Sequence, residues 1–185
     1  EGICQRLREP NRQLPGGFLY FSDILSTPAL VEGMGNLIAG EYYGENVDFV
    51  LTMETKGIPV ALMTARALGV PLVIARRATK VYEGSAVNIS YVSGSGGIET
   101  MALSRRAVKE GQRTLIVDDF MRGGGTAKGM IELMKEFATT VVGTCFVLAL
   151  EHPKNRLIQG EKSLMLLSDF QSGEPFSVRP ADWIK

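Results

Sequence analysis

The order of patterns along the chain predicts an α/β protein: a mainly parallel sheet with helices on both faces. Three observations lead there. Short apolar runs alternate with segments whose apolar residues recur at helical spacing, and the connections between them are short. Two of those runs end in polar, glycine-containing turns, ETKG after VDFVLTM and DDFMRGGGT after TLIV. In open parallel sheets, ligands gather beyond such strand exits. The chain has 185 residues, 45% hydrophobic and 22% charged, enough for one domain with a continuous core.

The elements follow in order. An amino-terminal segment ends at LPGG, where Gly16 and Gly17 supply a turn into a short strand, FLYFSDIL from Phe18. Ser26 and Thr27 offer caps for a helix, Pro28 suits its first position, and Leu30, Val31, Met34, Leu37 and Ile38 give it an apolar face. VDFVLTM is a strand, IPVALMTARAL a helix closed by Gly69, and PLVIARR another strand. SAVNISYV and IETMAL then enclose SGSGG, the composition of a β-hairpin with a flexible tip, a candidate lid. RTLIVDD resumes the apolar strand pattern, and Met130, Leu133, Met134 and Phe137 face the core from the helix after it. VVGTCFVLAL is a strand, and SLMLLSD and FSVRP supply one or two short edge strands. No internal repeat, low-complexity tract or linker interrupts this order.

Zero formal charge and a pI near 6.9 provide no global basic field for nucleic acid, so an anion site has to be local. Cys4 and Cys145 lie far apart without metal-ligand spacing, which argues against a disulfide framework and for a reducing, cytoplasmic setting. No apolar run approaches membrane length.

RTLIVDDFMRGGGTAKGM, Arg113 to Met130, carries the chemistry. Asp118 and Asp119 are read as exposed acids at the mouth of a buried strand, where ribose hydroxyls or Mg2+ compensate their mutual repulsion. Gly123, Gly124 and Gly125 lack Cβ atoms, so their N–H groups can close around an oxyanion while the following helix adds its positive end. Thr126 either donates its hydroxyl to that anion or caps the helix. Acids for a sugar beside amides for a phosphate describe a pentose phosphate site. Neither GxxxxGK[ST] nor GxGxxG spacing occurs, so triphosphatase and dehydrogenase readings drop away.

TLIVDDFMRGGGT resembles the phosphoribosyl pyrophosphate signature of type I phosphoribosyltransferases. METKGIPVALMTARALGVPLVIARR is similar to the pyrophosphate-loop region of the purine enzymes in that family, and the hairpin occupies their flexible-loop position. The order holds from about Leu14 to Leu150. Arg122 stands where catalytic members usually carry a small residue. Together with TKGIP and KVYEGSAVNISYVSGS, the signature is most similar to the effector domains of bacterial purine operon repressors.

That resemblance implies a type I phosphoribosyltransferase-like effector domain of a transcription regulator, with a winged-helix DNA-binding domain upstream, contact with operator DNA through the full-length protein, and a homodimer. It implies a sensor without turnover; an active adenine- or xanthine-type transferase is the alternative, and an inert scaffold for protein contacts a third reading. In matching positions, Arg122 to Thr126 would hold the 5-phosphate of phosphoribosyl pyrophosphate, Asp118 and Asp119 the ribose, and Thr55, Lys56 and Gly57 the pyrophosphate. No tightly bound cofactor is expected, and Mg2+ would arrive with the pyrophosphate. Arg76, Arg77 and Lys80 either neutralise further phosphate charge or are exposed loop cations. Phe120 either stacks on a purine or closes the core, and Phe18 and Tyr91 carry the same question. Guanine nucleotides are candidate competitors for the pocket. His152, Ser22 and Ser104 have no catalytic partners in sequence.

Overall fold

A computed structural model describes residues 1–15, 17–78, 85–171 and 173–184; Gly16 of the predicted turn and Lys80 of the predicted site lie outside them. The elements are α1 (Gly2–Leu7), β1 (Gln13–Leu14), β2 (Phe18–Leu19), α2 (Ser22–Leu25), α3 (Pro28–Tyr42), β3 (Phe49–Met53), α4 (Ile58–Leu68), β4 (Leu72–Arg77), β5 (Ala86–Val92), β6 (Ile98–Ser104), β7 (Arg113–Met121), α5 (Gly125–Glu136), β8 (Thr140–Leu150), β9 (Lys162–Leu167) and β10 (Val178–Pro180). β1 and β2 form a small antiparallel pair. The main sheet runs β10-β9-β8-β7-β3-β4-β6-β5. Its five central strands, β9 to β4, are parallel, with β10 antiparallel at one edge and the β5–β6 hairpin at the other.

Both faces of the sheet are covered, as the strand sequences require. In β3, Val50 packs with Met34 and Ile38 of α3 and Val60 of α4, while its neighbour Leu51 packs with Met130, Leu133 and Met134 of α5. Leu115 and Ile116 of β7 divide the same way. This is why the central strands read as continuous apolar runs rather than alternating ones. Each such side chain contributes about 1.5–3 kcal/mol on burial. Gly69 ends α4 in the left-handed conformation, as predicted.

Five details depart from the sequence reading. SLMLLSD, expected at a sheet edge, supplies β9, an interior strand between β8 and β10, and only β10 forms that edge. Residues 2–7 form a helix. FLYFSDIL is a strand only at Phe18–Leu19; Ile24 N–H and Leu25 N–H both donate to the Phe21 carbonyl, which turns Ser22–Leu25 into α2. Asp23 in that turn accepts two hydrogen bonds from the buried Arg12, at 2.8 and 2.9 Å, and this pairing lowers its carboxyl to about 2. Thr27 precedes α3 but does not cap it, since its Oγ1 donates to the Asp23 carbonyl. Leu37, assigned to the apolar face of α3, is 47% exposed on the rim of a shallow hollow between α1, α3 and β9.

Cys4 and Cys145 are buried free thiols. No helix among the described residues is long and apolar enough to cross a membrane.

Candidate functional site at the exits of β3 and β7

β7 does not end where its acids begin. Asp118 lies opposite Phe146 and Met121 opposite Ala149, so the strand carries both aspartates inside it. Asp118 is 7% exposed, which corrects the expectation of two solvated acids; Asp119 is half-buried. The cause is the turn after β3, which lays Gly57 against the Asp118 carboxyl. Asp118 Oδ1 accepts the Asp119 N–H at 2.9 Å. Burial, reinforced by the neighbouring Asp119 carboxylate, pushes the Asp118 carboxyl well above the usual range.

The loop beyond β7 is held by backbone. Gly124 adopts φ 93°, a conformation that favours glycine, and α5 starts at Gly125 with no side-chain cap. Thr126 therefore sits inside the first turn and does not cap the helix. A Cβ on Gly125 would overlap the Val92 carbonyl oxygen of β5, and one on Gly123 would lie 2.9 Å from the Asn155 carbonyl oxygen. Leu157 N–H donates to the Gly123 carbonyl at 2.8 Å. Met121, Ala127, Phe146, Ala149 and Ile158 form a small apolar core beneath.

In front of this loop is a cavity of about 810 Å3. Arg122 to Thr126 line it, with Phe18 and Phe120, the hairpin tip at Ser93, Gly94 and Gly96, and parts of segments 153–157 and 169–174. Phe120 lines the cavity and packs against Phe18 and Phe21, with ring centroids 6.1 and 6.4 Å apart. The Arg122 guanidinium lies over the Phe18 ring, 4.9 Å from its centre. Gln13 joins the amino-terminal arm to the carboxyl-terminal loop: its Nε2 donates to the Glu174 carbonyl and its Oε1 accepts the Gly173 N–H, both at 2.8 Å.

A second, polar group lies at the exits of β3 and β4. The Glu54–Thr55 peptide is cis, Thr55 and Lys56 are exposed, and Gly57 precedes α4. Arg77 N–H donates to Glu54 Oε2 at 3.1 Å; the side chains of Arg76 and Arg77 are exposed. Tyr91 does not line the cavity. Its ring packs on Gly129 of α5 and its hydroxyl donates to Glu99 at 2.9 Å. Burial first, then Glu99, raises that phenol to about 12.

The structure thus brings Phe18, Phe120 and Arg122 to Thr126 around one cavity, sets Asp118 behind it against Gly57, and leaves Thr55, Lys56, Arg76 and Arg77 at the neighbouring exits. Lys154, Asn155, Leu157, Phe170, Gln171 and Glu174 also line the cavity; they carry no motif, and only their position beyond β8 and β9 could suggest them. Among the described residues, no three His, Cys, Asp or Glu side chains gather as a metal site. His152 is exposed.

Residues 21–177 match the phosphoribosyl transferase domain family. The chain belongs to that family. Within it, the domain is 48% identical over 164 residues to the purine biosynthesis transcriptional activator PurR of Lactococcus lactis subsp. lactis strain IL1403, covering 88% of this chain and 60% of that protein. It is 44% identical over 173 residues to the purine biosynthesis transcriptional repressor PurR of Bacillus subtilis strain 168, covering 93% and 61%. The chain therefore spans about three fifths of the regulators it matches. Its fold is that of the adenine phosphoribosyltransferase of Thermoanaerobacter pseudethanolicus, with a TM-score of 0.75 at 22% identity over 89% of this chain and 98% of that one.

Proposed function

We propose that this phosphoribosyl transferase domain is the effector-binding part of a purine-biosynthesis transcription regulator, and that its effector is phosphoribosyl pyrophosphate. What supports this most is an open cavity floored by the glycine loop after an acidic strand end, in a chain 44% and 48% identical to two such regulators. The amides of Arg122 to Thr126, the Thr126 hydroxyl and the positive end of α5 hold the 5-phosphate. Asp118 and Asp119 take the ribose hydroxyls. Thr55 to Gly57, with Lys56, Arg76 and Arg77, take the pyrophosphate, and Mg2+ enters as its counter-ion.

Regulation requires that the effector bind two states of the protein unequally. In this reading those states are arrangements of a homodimer whose upstream winged-helix domains contact operator DNA, and no turnover is involved. Phe18 and Phe120 at the cavity wall suit a purine ring, so guanine nucleotides compete for the same space.

Calorimetric titration with phosphoribosyl pyrophosphate and Mg2+ tests the reading: saturable binding is expected, displaced by guanine nucleotides. No binding overturns it. Adding each purine base in turn and measuring nucleotide formation tests the absence of catalysis, and turnover at ordinary enzyme rates would replace the sensor by a transferase.

A further inference from the structure

Thr52, next to the last residue of β3, is 0% exposed, and its hydroxyl has no hydrogen-bond partner among the described residues. A buried hydroxyl left unpaired is destabilising where a methyl of the same shape is not. Its polar surroundings lie in one direction. A Cβ on Gly57 would stand 2.8 Å from Thr52 Oγ1, and that same Cβ would overlap Asp118 Oδ1. Gly57 is therefore a spacer between a hydroxyl that lacks an acceptor and a buried carboxyl. The spacer belongs to the turn that carries the exposed Thr55 and Lys56.

We infer that Thr52 is a positioning residue for the effector: when the Thr55–Gly57 turn moves onto the ligand, Gly57 withdraws and the Thr52 hydroxyl donates to an oxygen of the Asp118 carboxyl group, fixing it toward the ribose. This rests on the proposed function and assigns a role to a residue outside every recognised motif. The missing hydrogen bond forms when the turn moves, so the hydroxyl destabilises the arrangement before that movement and stabilises the one after it. Thr114 provides a control. It is also fully buried with an unpaired hydroxyl, but it sits at the amino end of β7, between Phe49 and Val141, away from the acids.

The test is calorimetric titration of phosphoribosyl pyrophosphate with Mg2+ into the wild type, Thr52→Val, Thr52→Ser and Thr114→Val, with thermal unfolding of each unliganded protein. Thr52→Val is expected to unfold no earlier than the wild type yet bind about tenfold more weakly, the loss expected for one buried hydrogen bond. Thr52→Ser is expected to keep wild-type affinity, and Thr114→Val to match the wild type in affinity without unfolding earlier. Equal affinity of Thr52→Val and the wild type overturns the inference alone. Earlier unfolding of unliganded Thr52→Val also overturns it, because the hydroxyl would then be satisfied without ligand. A wild type that takes up no phosphoribosyl pyrophosphate overturns the inference and the proposed function together.

Discussion

The turn leaving β7 is pressed by main chain from β5 and from segment 153–157, whereas the turn leaving β3 leaves Thr55 and Lys56 in solvent and lays Gly57 against two side-chain oxygens. The two are neighbours, because β3 and β7 are adjacent parallel strands. They nevertheless use glycine differently. At Gly125 the obstacle is a carbonyl oxygen of another strand; at Gly57 the nearest obstacles are two side-chain oxygens, Asp118 Oδ1 and Thr52 Oγ1, with the Asp118 Cα behind them at 3.1 Å. A cradle fixed by backbone is set before its ligand arrives, and a turn resting on side chains can adjust to one. The first suits a phosphate, whose shape is constant, and the second a pyrophosphate with its ion.

Substitutions can break or sharpen this contrast. Gly125→Val should have the largest effect: the hairpin must move off α5, stability should fall by about 1–3 kcal/mol, and effector binding should be lost. Chemical denaturation and calorimetry check both, and a stable variant with intact affinity would mean that the β7 turn is as yielding as its neighbour. Gly57→Ala should be milder, about 1 kcal/mol, because Thr52 and Asp118 can rotate; it should still weaken binding by holding the carboxyl and the turn apart.

Asp118→Asn isolates the buried acid of the β3 side. The folded protein favours the neutral carboxyl, so its ionisation begins near pH 4 in the unfolded chain and only at higher pH in the folded one. Wild-type stability should therefore decline as pH rises through that window and then level off. Asp118→Asn should lack this decline, raising the thermal midpoint at pH 7 and leaving it nearly unchanged at pH 3, while weakening effector binding. A wild type whose stability rises across the same window would show the carboxyl to be ionised in the fold. Lys56→Ala should have the smallest effect, within about 0.5 kcal/mol on stability, with a salt-sensitive loss of affinity. If its affinity loss persists at high salt, the lysine is making more than a solvated charge contact.

The same contrast governs what could be read from sequence. The alternation of elements, the Gly69 stop and the acid–glycine junction are local signals, and they led to the correct fold and the glycine loop. Asp118 is misplaced by the sequence because it lies inside β7 opposite Phe146 and against Gly57, which is 61 positions earlier and meets it only in the folded chain. The strand at Phe18 was drawn too long because two adjacent apolar residues, Ile24 and Leu25, fit a buried strand as readily as a short helical turn. The cavity wall at 153–157 left no signature because its closest approaches to the loop use main-chain atoms, the Asn155 carbonyl and the Leu157 N–H, which many residue types could supply.

Gln13 ties its arm to main-chain groups 160 and 161 positions later. During synthesis at about 5–20 residues per second, that closure lags the emergence of the arm by roughly ten to thirty seconds. A nascent chain on the ribosome thus carries Gln13 well before it carries the loop that Gln13 fastens. Any small molecule enclosed there becomes available only after residues 173 and 174 have emerged, and shorter translation products would be blind to it.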